Sequence, residues 1–136
     1  MVRIIGLFLL SMSAPLLAAN DCSNADNTYE IGLCMAEQLE QHEVELQHYL
    51  GEARARYVDD EVIIESIDKA QQSWLAYRQE HCSSIYNIWR DGTIRSIMGY
   101  SCSIRMTQLR THQIWHSYLN YMDNAPALLP EPQIED

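Results

Sequence analysis

The sequence predicts an all-α domain, an antiparallel three-helix bundle stapled by two disulfides. Three observations predict it. Apolar residues recur at three- and four-residue steps through three long segments with no strand-like alternation. Short polar connections separate those segments. Four cysteines, an even number, come after an N-terminal stretch that reads as an export leader.

Residues 1 to 19 come first. Arg3, the apolar run Ile4 to Leu10 and the small-residue end at Ala18 and Ala19 have the three regions of a signal peptide. Cleavage is expected after Ala18 or Ala19. Asp21 before Cys22 does not make a lipobox, and no later stretch is apolar enough to cross a bilayer, so a periplasmic or secreted product without a membrane span is expected.

The first helix is expected over about 28 to 57. Asn27 with Glu30 has the spacing of a capping box, and the apolar stripe then runs through Ile31, Met35, Leu39, His42, Leu46, Tyr49, Leu50, Ala53 and Tyr57. The acidic connection Val58 to Glu61 leads to a second helix over about 62 to 89, with Ile64, Ile67, Gln71, Trp74, Arg78, Cys82, Ile85 and Trp89 on its stripe. Asp91, Gly92 and Thr93 end it, Gly92 as a residue suited to the left-handed region and Thr93 as a cap for the next helix. The third helix covers about 94 to 121, with Met98, Cys102, Met106, Leu109 and Arg110 on one side and Gly99 as a weak point or a close-packing site. The domain is expected over residues 20 to 122. After it, residues 123 to 136 hold three prolines in a short acidic tail, which is expected to be disordered.

Folding these helices back on one another at about 1.5 Å rise per residue sets residue levels. Cys34 comes level with Ser84, and Cys102 level with Cys82, so three cysteines share one end with Cys22 just beyond. The pairing is not fixed by this; Cys34 with Cys82 and Cys22 with Cys102 is marginally favoured. Arg78, Thr107, Arg110, Glu43 and Gln71 lie on the bundle side of that level. A guanidinium on a core stripe is expensive without partners, so these five residues are expected to form a semi-buried network in which Glu43 neutralises Arg78 or Arg110.

Charge narrows the partners. The chain has a net charge of −10, which makes nucleic acid an unfavourable partner and a basic protein a natural one. Residues 20 to 57 carry eight acids against two arginines, whereas residues 94 to 121 carry three arginines and no acid. An acidic flank on the first helix is thus the better docking face. No metal or other cofactor is expected, because His48, His112 and His116 fall towards solvent and lack a completing carboxylate on the third helix. No nucleophile is paired with a base, so the chain does not read as an enzyme.

The pattern AQxxWxxYRxxxC at residues 70 to 82, Gly92-Thr93, and CxxxxTxxRxxxI at residues 102 to 114 resemble the lysozyme inhibitor LprI N-terminal-domain family. Cys22 and Cys34, with Glu30 before and Leu46 after, fit the same pattern. The likeness covers roughly residues 22 to 118, with Glu43, Gln47 and Leu50 where the family more often has aspartate, asparagine and tyrosine. It implies an exported, helical, disulfide-containing domain that inhibits lysozyme or another basic peptidoglycan-degrading enzyme. The loops are the expected contacts, with Asp59, Asp60 and Glu61 in one and Trp89 and Arg90 in the other. The alternatives are an immunity protein against a different lytic enzyme, and a structural or protein-binding envelope protein without lysozyme inhibition.

Overall fold

The computed structural model describes residues 22–120 and 125–134. The expected leader, residues 1 to 19, lies outside the described residues. Three α-helices come after a short 3₁₀ turn at Cys22–Asn24: α1 over Thr28–Arg56, α2 over Glu61–Ile88 and α3 over Arg95–Ile114. A π-helical turn, Trp115–Leu119, extends α3.

The start of α1 obeys its sequence signal. The Asn27 side chain accepts from the backbone N–H groups of Tyr29 and Glu30 at 3.0 and 3.1 Å. The reciprocal bond differs by one residue from an ideal capping box, because Glu30 accepts from the N–H of Asp26 at 3.0 Å. Asp60 caps α2 by accepting from Ile63 N–H at 3.1 Å. The entrance to α3 departs from the expected one. Its N-cap is Ile94 rather than Thr93, with no side-chain cap, and no described glycine has positive φ. The α2–α3 connection turns instead through successive short backbone bonds, Trp89 to Tyr86, Arg90 to Asn87 and Gly92 to Trp89, so Gly92 needs no left-handed conformation.

The helices do not pack symmetrically. Both α1 and α2 lie along α3, while the backbones of α1 and α2 scarcely approach each other. Side chains join those two, including an Arg54–Asp68 ion pair near their shared turn. The core sits towards the same end: Leu46, Tyr49, Leu50 and Ala53 of α1, Ile67 of α2, and Ile114, Trp115 and Leu119 are buried together. The apolar stripe of α1 continues N-terminally through Leu39 and Met35, but there it is only half-buried.

The disulfides staple that thinner end, in a pairing other than the one marginally favoured from sequence. Cys22 bonds Cys34, with Cα atoms 5.8 Å apart, and Cys82 bonds Cys102, with Cα atoms 5.6 Å apart. The leading 3₁₀ turn folds Cys22 back onto α1, and the separation of α1 from α2 keeps Cys34 from Cys82. Equal levels along a bundle are necessary for a bridge, but adjacent helices are also required. At Gly99 a Cβ atom would stand 3.4 Å from the Tyr86 ring, which marks Gly99 as a close-packing site between α3 and α2.

The tail also departs from expectation. Its described part, residues 125 to 134, lies against the bundle rather than apart from it. Trp115 Nε1 donates to Leu129 O at 2.9 Å, Tyr49 Oη to Pro130 O at 2.8 Å, and Leu128 N–H to Leu119 O at 2.9 Å. Ala127 and Leu129 pack onto the core, and His112 faces Glu131 at 2.8 Å. Proline content suppresses regular structure, yet an irregular segment can dock when neighbouring side chains satisfy its carbonyls.

Candidate functional site

Because α1 and α2 separate above α3, the molecule has an open trough with α3 as its floor. One part, of about 740 Å³, is lined by Leu39 of α1, by Leu75, Cys82 and Tyr86 of α2, and by Gly99 and Tyr100 of α3. A second part, of about 520 Å³, shares Leu75 and Arg78 and is walled by Glu40, Glu43, Val44 and Gln47 of α1.

Arg78 spans the trough. Its guanidinium donates through Nη2 to Glu43 of α1 and through Nη1 to Thr107 of α3, the latter at 2.7 Å. One side chain of α2 thereby ties all three helices at a level where α1 and α2 do not pack directly. Its planar fork suits that task, since it directs separate N–H groups to separate acceptors. Thr107 also donates to Ser103 O within its own helix at 2.7 Å.

Arg110 is placed differently. It is only 7% exposed, and its Nε donates to Gln71 at 3.0 Å and its Nη1 to Gln113 at 2.8 Å. Glu43 is thus the partner of Arg78, while Arg110 rests on amide oxygens. Burial holds the Arg110 pKa below its usual range, an effect partly opposed by Tyr118. The Trp74 ring lies beside both cations, with guanidinium carbons 5.1 Å away for Arg78 and 5.8 Å for Arg110. Gln71 Nε2 and Arg110 Nη2 are buried without a protein acceptor among the described residues.

Tyr77, beside Arg78 in the sequence, is 60% exposed and stacks on His81. His42, on the apolar stripe of α1, is half-buried with its Nε2 3.4 Å from Gln108 Nε2. Among the described residues no group of three or more histidine, cysteine or carboxylate side chains could hold a metal ion.

The two expected contact loops are not brought together. Asp59, Asp60 and Glu61 lie at the α1–α2 turn, and Trp89 and Arg90 lie beyond the far end of the 28-residue α2. At 1.5 Å per residue about 40 Å separates them. Trp89 is partly exposed beside a cleft between the first turns of α1 and the α2–α3 connection, which Arg90 and Arg95 line. Sequence reading missed the trough itself. The available signal was the polar character of Glu43, Gln47 and Arg78 on facing stripes, which marks helices that do not close on each other.

This arrangement is that of a small disulfide-stapled three-helix domain with open surface grooves. Its residues 18–114 match the family model described as lysozyme inhibitor LprI, and the chain belongs to that family. No curated protein and no solved structure matches the chain. Among the described residues no helix is long and apolar enough to cross a membrane.

Proposed function

We propose that the chain is an exported inhibitor that binds a basic peptidoglycan-degrading enzyme of the lysozyme kind through an acidic surface. Membership of the lysozyme inhibitor family carries this reading. The leader-like residues 1 to 19 and the four cysteines support export to an oxidising compartment, periplasmic or extracellular.

Charge supports the acidic face. Glu37 and Glu40 stand exposed on α1, and neither forms an ion pair among the described residues. Asp59 and Glu61 likewise stand exposed at the α1–α2 turn. A cationic enzyme approaching this flank is steered towards it, and carboxylates without internal partners are available for charge-assisted contacts. Because the two loops are about 40 Å apart along α2, one interface of ordinary size does not centre on both. The acidic flank of α1 takes the central role, with Asp59, Asp60 and Glu61 at its rim and Trp89 and Arg90 secondary.

The test is lysis of a peptidoglycan suspension by several basic lysozymes, with and without the purified chain lacking residues 1 to 19, at low and moderate salt. Inhibition at micromolar protein that persists at moderate salt is expected. Absence of inhibition, or inhibition confined to low salt, overturns the reading, because screened long-range attraction alone does not make a specific inhibitor.

A further inference from the structure

The trough between α1 and α2 has the form of a helix bundle lacking one corner. Three helices supply a floor and two walls, and the fourth position is open. Its floor includes the small residues Ser96 and Ser103, beside Gly99, against which the Tyr86 ring packs. Its walls carry exposed apolar side chains: Val44 on α1 is 66% exposed and Leu75 on α2 is 40% exposed. From Leu75 to Asn87 the α2 wall runs about 18 Å, or about three helical turns.

We infer that this trough receives an amphipathic helix with apolar residues on one face and basic residues beside it, presented by a protein partner. The docked helix lays its apolar face between Val44 and Leu75, in the manner of groove recognition of helices. Its basic residues meet Glu40, which has no ion pair among the described residues, and Glu43, which is 43% exposed even though it already accepts from Arg78. The Arg78 strut holds the two walls in place, so the groove exists before the partner arrives and little ordering is needed on binding.

Charge selects this occupant over others. A second copy of the chain brings the same net charge of −10 and sets carboxylates against carboxylates. The described part of the C-terminal tail is engaged elsewhere, on Tyr49, Trp115 and Leu119 along the α1–α3 seam. A cationic helix instead complements the unpaired Glu40, the exposed part of Glu43 and the apolar walls. This inference rests on the reading of the partner as a basic protein, and it adds the element by which that partner is held.

The experiment uses a synthetic helical peptide of about five turns, with leucine on one face and lysine on the other, labelled for fluorescence anisotropy at about 0.15 M salt, where exposed charges are largely screened. The chain lacking residues 1 to 19 is compared with two variants of equal change in charge. One is Val44→Lys with Leu75→Lys in the trough; the other is Ser66→Lys with Ser73→Lys, at exposed positions of α2 outside the trough lining. Helical circular dichroism and thermal midpoint establish that each variant is folded, as expected for substitutions at exposed positions. The parent is expected to bind, the trough variant to bind at least about ten-fold more weakly, a loss of about 1.4 kcal/mol, and the Ser66/Ser73 variant within about two-fold of the parent. No binding by the parent, undiminished binding by the trough variant, or equal weakening of both variants overturns the inference. Peptide binding without lysozyme inhibition removes the inhibitor reading and leaves the groove, whereas inhibition that survives the trough substitutions removes the groove and leaves the inhibitor.

Discussion

At the scale of single residues, two polar side chains hold parts of the molecule that apolar packing does not. Arg78 substitutes for direct packing of α1 on α2 by reaching Glu43 and Thr107 at once. Replacement by lysine keeps the charge but not the fork, so Arg78→Lys is expected to lower stability by about 1 to 2 kcal/mol, the range of one or two lost hydrogen bonds. A double-mutant cycle of Arg78→Met with Glu43→Gln, measured by urea unfolding, is expected to show coupling; additive effects would count against the strut. Tyr49 does the equivalent for the tail, donating to Pro130 O from a buried position. Burial raises its pKa above the ordinary tyrosine value of 10.0, with a further contribution from Glu45. A raised native pKa means that the folded state holds the proton more tightly than the unfolded state. This contribution is therefore whole below about pH 10 and is lost as pH rises from there through the native pKa. Tyr49→Phe is expected to cost about 1 kcal/mol at neutral pH and to flatten the alkaline limb of a stability profile measured by denaturant midpoint.

At the scale of elements, the two disulfides and the tail do different work. Each bridge closes a short loop, 12 residues for Cys22–Cys34 and 20 for Cys82–Cys102, and loop-closure entropy assigns about 3 kcal/mol to either. Their locations break that near-equality. Cys82–Cys102 joins α2 to α3, whereas Cys22–Cys34 joins a 3₁₀ turn to α1. Replacing Cys82 and Cys102 by alanine is expected to lower global stability by about 3 kcal/mol, read from denaturant unfolding. Replacing Cys22 and Cys34 is expected to open chiefly residues 22 to 30, read as local loss of amide protection. The docked tail makes a third prediction. Ending the chain at Asn120 removes Ala127 and Leu129 from the core and leaves Tyr49 and Trp115 without their carbonyl acceptors, so a lower thermal midpoint and increased binding of an apolar dye are expected. An unchanged midpoint would show the tail to be dispensable.

At the scale of the whole molecule, the apolar core and the open trough occupy different regions. The apolar core gathers beside the α1–α2 turn, and the opposite end relies on disulfides and half-buried side chains. Amide exchange is expected to be slowest in residues 46 to 53 and 107 to 115 and faster in residues 28 to 40, because buried apolar contacts decide the cost of local opening. Uniform protection along α1 would contradict this division. The same asymmetry opens the trough, since helices that closed fully on one another would leave no groove for a partner.

The sequence by itself determined the helices, their approximate ends, the presence of two disulfides and the family resemblance. These come from local periodicity, from the capping spacing of Asn27 and Glu30, and from motif spacing along one chain, none of which requires knowing which helix lies beside which. The tertiary structure decided the features that depend on adjacency: that Cys82 meets Cys102 and not Cys34, that Glu43 serves Arg78 and not Arg110, that residues 125 to 134 dock, and that α1 and α2 stand apart. Periodicity reports which face of a helix is apolar, but a level along a bundle says nothing of the distance across it. That lateral distance makes the trough, and only packing on α3 sets it.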